Sequence, residues 1–140
     1  MKLRVKKLKE DAKLPTKGHP GDAGIDFYSS EDVIFPPKET MDVFSGVAIE
    51  IPEGFVGLVW DKSSIAFKKG LKTMGGVIDA GYRGEMLFHL FNTNDEEVEI
   101  KKGDKIAQLI IQKFEDCDIV ESEELSNTVR GEQGFGSTGK

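Results

Sequence analysis

The chain has 140 residues, 38% of them apolar, a formal net charge of -6 and one cysteine. That length favours one domain with enough interior to need neither disulfides nor a structural metal, and the apolar content excludes a disordered chain. The acidic balance excludes a general duplex-binding surface and confines any phosphate site to a local pocket of cations and backbone amides.

The opening stretch MKLRVKKLKED has no apolar run long enough for a signal peptide or a membrane span, so a cytoplasmic location is expected, without a membrane partner. Within it Leu3 and Val5 alternate with charge, as in a strand. Pro20-Gly21-Asp22-Ala23-Gly24-Ile25-Asp26 is a Gly/Asp cluster and reads as a turn. Met41, Val43, Val47, Ile49 and Ile51 share one parity, which predicts a strand with one buried face; residues 55–60 form a short apolar run. One short helix follows, with Ser63 or Ser64 as its cap, residues 65–69 as its turns and Gly70 as its stop. Residues 75–84 read as a strand, a tight Gly-bearing turn and another strand, and residues 86–91, 97–100 and 105–114 as further strands. Many short strands separated by Gly, Pro, Asp and Asn predict an all-β sandwich, jelly roll or small barrel.

Cys117 lies between Asp116 and Asp118, where carboxylates raise a thiol pKa, so it reads as structural; a lone cysteine fits a reducing compartment. From residue 126 the composition turns polar and Gly-rich, with Val129 and Phe135 the only large apolar side chains. Such a tail cannot offset its ordering entropy alone and is expected to be mobile until something binds it.

Four places carry residue types suited to chemistry. In the tail, glycines let amides converge on an anion, Ser137 and Thr138 offer hydroxyls, Arg130 and Lys140 offer charge, and Phe135 offers a ring that can stack on a base; composition reads equally as a loose terminus. Asp79 beside the Gly-bearing turn can hold a water, and Tyr82 presents a ring near open backbone amides; the same stretch also reads as an ordinary turn. Lys62, Ser63 and Ser64 at the helix start suit a phosphate, or form a plain cap. Gln108 is polar within an apolar run and needs a partner, either backbone or ligand.

Five segments, PGDAGIDFYS (20–29), DKSSIAFKKG (61–70), GGVIDAGYRG (75–84), GDKIAQLI (103–110) and RGEQGFGSTGK (130–140), resemble in order and spacing the five motifs of the trimeric dUTPases. The resemblance implies an all-β jelly roll with one short helix, a β domain over 1–125 and a flexible C-terminal arm over 126–140. It implies hydrolysis of dUTP to dUMP and pyrophosphate by water attack on the α-phosphorus. The implied Mg²⁺ is held mainly by the triphosphate and is touched by Asp26 through water. A homotrimer with shared sites is implied too, in which one subunit supplies Ser63 and Gln108, a second Asp79, and a third the arm. Asp79 would orient the water. Lys62, Ser63, Ser64 and Gln108 would hold phosphate oxygens, and the backbone at Gly76, Val77 and Ile78 would read uracil. Tyr82 would pack on the deoxyribose and Phe135 would cover the base. Arg130, Gly136, Ser137 and Thr138 would close over the γ-phosphate.

Two positions depart from the family pattern. Lys62 stands where Arg is usual, which keeps the charge and loses the planar fork. His89 occupies a strand position that is usually aliphatic and reads as a packed or interface residue; His19 reads as a turn residue. Two other activities compete. A dCTP deaminase of the same fold needs a Glu where this chain has Phe88-His89-Leu90-Phe91-Asn92, and a dUTP-sensing module needs an inserted partner-binding element that the sequence does not contain.

Overall fold

Alternation of side chains sets the architecture. In Glu85–Asn92 the residues Met86, Phe88, Leu90 and Asn92 are buried while Leu87 and His89 face outward, the pattern of a strand with one face on a core. The computed structural model describes residues 1–132. In chain order its elements are β1 (Arg4–Lys7), β2 (Ile25–Tyr28), β3 (Val33–Phe35), β4 (Thr40–Glu50), β5 (Phe55–Asp61), α1 (Ser63–Lys69), β6 (Leu71–Thr73), β7 (Val77–Ile78), β8 (Glu85–Asn92), β9 (Val98–Ile100) and β10 (Lys105–Lys113).

The strands form two four-stranded sheets, ordered β1-β4-β8-β6 and β2-β10-β5-β7, with β3-β9 as a separate pair. All pairings are antiparallel. This is the β-sandwich that the punctuated strand pattern predicts. Phe27 of the second sheet and Phe88 of the first meet between the layers, ring centroids 5.2 Å apart and tilted by 52°, a favourable aromatic geometry. Of the single-parity set, Val43, Val47, Ile49 and Ile51 are buried in the same core, and Met41 is half-buried against it.

β4 bulges between Phe44 and Ala48. Gly46 occupies the bulge at φ 72, its N–H donates to Glu85 Oε1 at 2.6 Å, and a Cβ there would lie 2.8 Å from that of Ala12; only glycine fits.

Helix α1 is held at its C-terminal end by the end of β8. Asn92 is fully buried, and its Nδ2 donates to the carbonyls of Phe35, Pro36 and Glu96 at 3.1, 3.1 and 2.8 Å. Its Oδ1 accepts Asn94 Nδ2 at 2.8 Å, and the same Asn94 amide donates to the Lys69 carbonyl at 2.8 Å. A helix-end carbonyl that water would otherwise satisfy is thus tied to the core. Gly70 ends the helix in the left-handed region at φ 63, as the sequence predicts.

Three expectations change. The cap residue is Lys62, with no side-chain cap bond, and Ser63 is already inside the helix; the Lys62 carbonyl accepts from Ile65 and Ala66, while its side chain is drawn elsewhere. The strands on either side of the 79–82 turn do not pair with each other: β7 joins β5 and β8 joins β4 and β6, so the turn crosses between sheets. Cys117 is exposed rather than packed, because the chain leaves the sheet after β10. The short strands β2, β3 and β6 went unpredicted. Among the described residues no helix is long and apolar enough to cross a membrane.

Candidate active site

The register of the second sheet gathers one group of candidates. Gln108 lies opposite Asp26 on one side and Trp60 on the other, and Lys62 and Ser63 follow directly from the end of β5. Gln108 Nε2 donates to the Asp61 carbonyl at 2.8 Å, so its required partner in the chain is backbone. A Cβ on Gly24 would lie 2.1 Å from Gln108 Oε1; glycine lets the two segments approach and leaves the amide its place.

Asp26 is 1% exposed. One carboxylate oxygen faces Lys62 Nζ at 2.7 Å and the other faces Lys105 Nζ at 2.7 Å; no other donor among the described residues meets either oxygen. An isolated buried carboxylate is costly, and two ammonium groups compensate it. The cluster carries one net positive charge. Burial works to raise the Asp26 carboxyl, and the bonds from Lys105 and Lys62 outweigh it, so it titrates below the ordinary range; Asp26 in turn raises Lys105.

A carboxyl depressed in the folded state adds stability that is present above its unfolded pKa of about 3.9 and is lost as pH falls through its folded value. We expect urea midpoints to fall on acidification from about pH 6 to about pH 2. Asp26→Asn should lower the midpoint at neutral pH and flatten that slope. An unchanged slope would show that the Asp26 pairing contributes nothing to it.

Ser63 and Ser64 are exposed, and their hydroxyls make no hydrogen bond to described residues. Beside them a cavity of about 360 Å³ is lined by Ser64, Ile65, Lys68, Lys69, Asp104 and Lys105. Three lysines against one carboxylate favour an anion. A larger cavity of about 650 Å³ that also touches Lys68 and Lys69 is lined by Asp95, Glu96, Glu97 and Glu99. Those carboxylates disfavour a triphosphate.

The second group lies away from the first. Gly76 accepts from Val59 N at 3.0 Å, Val77 lies opposite Leu58 and Ile78 opposite Gly57. The chain then runs antiparallel past β5, so Asp79 falls about five strand residues, or about 16 Å, from Asp61 within one copy. Asp79 is exposed, and its carbonyl accepts Tyr82 N at 3.1 Å to close the turn. Arg83 Nη1 staples the turn through the carbonyls of Ala80 at 2.5 Å and Tyr82 at 2.8 Å. The Tyr82 hydroxyl donates to the Glu85 carbonyl at 2.9 Å. Its ring lies over Gly84, where a Cβ would come within 2.3 Å of that hydroxyl.

Arg130 is exposed at the end of the described chain; Phe135, Gly136, Ser137 and Thr138 lie outside the described residues. His89 pairs with Asp42 at 2.6 Å on the outward face of the first sheet, away from both groups. Sequence reasoning missed Lys105, Asp61 and Gly24. For Lys105 a signal existed, since a buried Asp demands cations.

Residues 10–139 match the dUTPase family model. The deoxyuridine 5'-triphosphate nucleotidohydrolase of Corynebacterium jeikeium (strain K411) is 47% identical over 143 residues, covering 98% of this chain and 92% of the relative. That of Hydrogenobaculum sp. (strain Y04AAS1) is 46% identical over 142 residues, covering 99% of each. The Staphylococcus bacteriophage 80alpha dUTPase, solved with dUpNHpp, superimposes with a TM-score of 0.93 at 34% identity, covering 99% of both chains. The D95N mutant dUTPase of phage phi11 of S. aureus, described for its structural Mg(II) ion, superimposes with a TM-score of 0.82 at 31% identity, covering 89% of this chain and 98% of the other. Sequence and fold agree along almost the whole length: the chain belongs to the dUTPase family.

Proposed function

We infer that this protein is a dUTP nucleotidohydrolase that converts dUTP to dUMP and pyrophosphate by water attack on the α-phosphorus. The observation that carries the reading is the cationic cluster at one end of the second sheet, where Lys62 and Lys105 flank Asp26 beside Gln108 and the two serines. The phage 80alpha relative was solved with dUpNHpp, a dUTP analogue, which supports the same ligand here.

The phosphates dock at this end. Ser63, Ser64 and Gln108 donate to their oxygens, and Lys62 and Lys105 supply charge while remaining anchored on Asp26. Little covalent work falls to a protein in phosphoryl transfer, so fixed donors in the right place lower the barrier. Asp79 accepts a hydrogen bond from the attacking water and takes its proton as the attack makes it acidic. Uracil presents acceptor, donor and acceptor along one edge. The backbone at Gly76, Val77 and Ile78 offers a fixed complement that leaves cytosine mispaired. Tyr82 covers the sugar. Arg130, Phe135, Gly136, Ser137 and Thr138 close over the phosphates and base.

The residues do not fit a directly coordinated metal. Both Asp26 oxygens already face ammonium groups, and no group of three His, Cys, Asp or Glu among the described residues is placed to hold an ion. A magnesium ion would accordingly be carried by the triphosphate, with Asp26 reaching it through water, and would supply charge neutralisation for the leaving group.

The separation of Asp79 from Ser63 and Gln108 supports a site shared between copies. The outward face of the second sheet supports association: Val77, Leu58 and Ile110 stand abreast in register, and Trp60, beside Gln108, is 56% exposed. We assign that face to the trimer.

The test is a product assay with magnesium and a panel of deoxynucleoside triphosphates. dUTP should yield dUMP and pyrophosphate, and dCTP should release no ammonia. Tight binding of dUTP with no product would favour a sensor over an enzyme.

A further inference from the structure

The excursion that carries Lys62, Ser63 and Ser64 leaves the second sheet at the end of β5 and enters the first sheet at β6. One side chain closes its neck. Asp61 Oδ1 accepts the Thr73 backbone N–H at 2.8 Å and Thr73 Oγ1 at 2.6 Å, and Oδ2 pairs with Lys72. The carboxylate thus bridges a strand of each sheet. The carbonyl of the same residue accepts Gln108 Nε2 at 2.8 Å. Helix α1 has seven residues and no side-chain cap. A helix that short does not hold itself in water, so its first turn depends on what anchors the chain around it. Asn94 anchors the far end, and Asp61 anchors the near one.

We propose that Asp61 is a positioning residue for the phosphate end of the site: its carboxylate closes the neck of the 62–72 excursion and its carbonyl aims Gln108, so that Ser63 and Gln108 are presented together. This rests on the dUTP reading above. Asp61 touches no substrate and acts through those two residues. Burial pushes its carboxyl up, and the bonds from Lys72 and Thr73 more than offset this, holding it below the usual carboxylate range. The clamp is therefore charged at neutral pH.

Base and sugar are served by residues 76–82, which Asp61 does not contact through any of these bonds. Loss of the carboxylate should separate affinity for the phosphates from affinity for the nucleoside. The test compares Asp61→Ala, Asp61→Asn and Ser63→Ala with the parent in magnesium buffer, using calorimetry for dUpNHpp and ligand-observed NMR for deoxyuridine. Asp61→Ala should weaken dUpNHpp by about ten-fold or more and leave deoxyuridine within about twofold. Asp61→Asn keeps the acceptor for Thr73 and loses the Lys72 arm, so it should fall between the parent and Asp61→Ala and match Lys72→Met. If Asp61→Ala does not fold, Thr73→Val and Lys72→Met each cut one arm of the clamp and should weaken dUpNHpp in the same selective way.

Parental dUpNHpp affinity in Asp61→Ala, or in both arm variants, overturns the clamp while a weakened Ser63→Ala leaves the phosphate reading standing. Parallel loss of both ligands also overturns it, as general destabilisation. Parental affinity in Ser63→Ala instead overturns the phosphate reading, and the clamp with it.

Discussion

Asp79→Asn should lower kcat for dUTP by about 10²- to 10⁴-fold, the span expected for losing a general base, while dUpNHpp affinity stays within about threefold. The amide is nearly isosteric and still hydrogen-bonds a water. It cannot take the proton that the water sheds on attacking phosphorus. Asp79 is exposed, and only its backbone carbonyl serves the turn, so the substitution should leave folding intact. Single-turnover kinetics beside calorimetry will separate chemistry from binding. An unchanged single-turnover rate would remove Asp79 from its assigned role.

The same variant tests the shared site. Mixed and reassembled with Gln108→Ala, it should recover part of the parental rate, because some sites then combine an intact Asp79 from one copy with an intact Gln108 from another. If reassembled mixtures stay as inactive as their parents, each site is built within a single copy.

Ending the chain at residue 129 should lower kcat/KM for dUTP by at least about 10²-fold, since loss of one preorganised donor at a developing charge costs that much and an arginine beside a transferring phosphoryl group more. The truncation removes Arg130 together with Phe135, Gly136, Ser137 and Thr138. Assembly and melting temperature should not change, because among the described residues the last strand ends at Lys113 and the core and the side chains packed on it reach only to Ile111. Light scattering, thermal melts and pyrophosphate release measured on one preparation will separate these outcomes. Full turnover by the shortened chain would reject closure of the arm as a requirement.

The sequence carried most of the scaffold where local periodicity is strong. The strand over 41–51 appears as Thr40–Glu50, with its alternation interrupted at the Gly46 bulge, the one over 97–100 as Val98–Ile100, and the Gly70 stop as read. It did not carry β2, which lies in a Gly/Asp cluster and exists because β10 pairs with it. Nor did it carry the cap: two serines invite a side-chain cap, yet the chain starts the helix at Ser63 because the Lys62 side chain is held by Asp26. Turn chemistry at 79–82 likewise announces a reversal without saying which sheet receives the next strand.

The ordered motifs alone determined the family and the chemistry, since residue type and spacing along the chain record which groups are available. Only the tertiary structure decided their company. Lys105 joins Lys62 on Asp26, Gln108 Nε2 meets the Asp61 carbonyl, and β7, which leads into Asp79, pairs at Gly57 and Leu58 of β5 rather than at its Asp61 end. Strand register and the crossing between sheets bring distant residues together or hold them apart, and those long-range pairings leave no periodic trace in the chain.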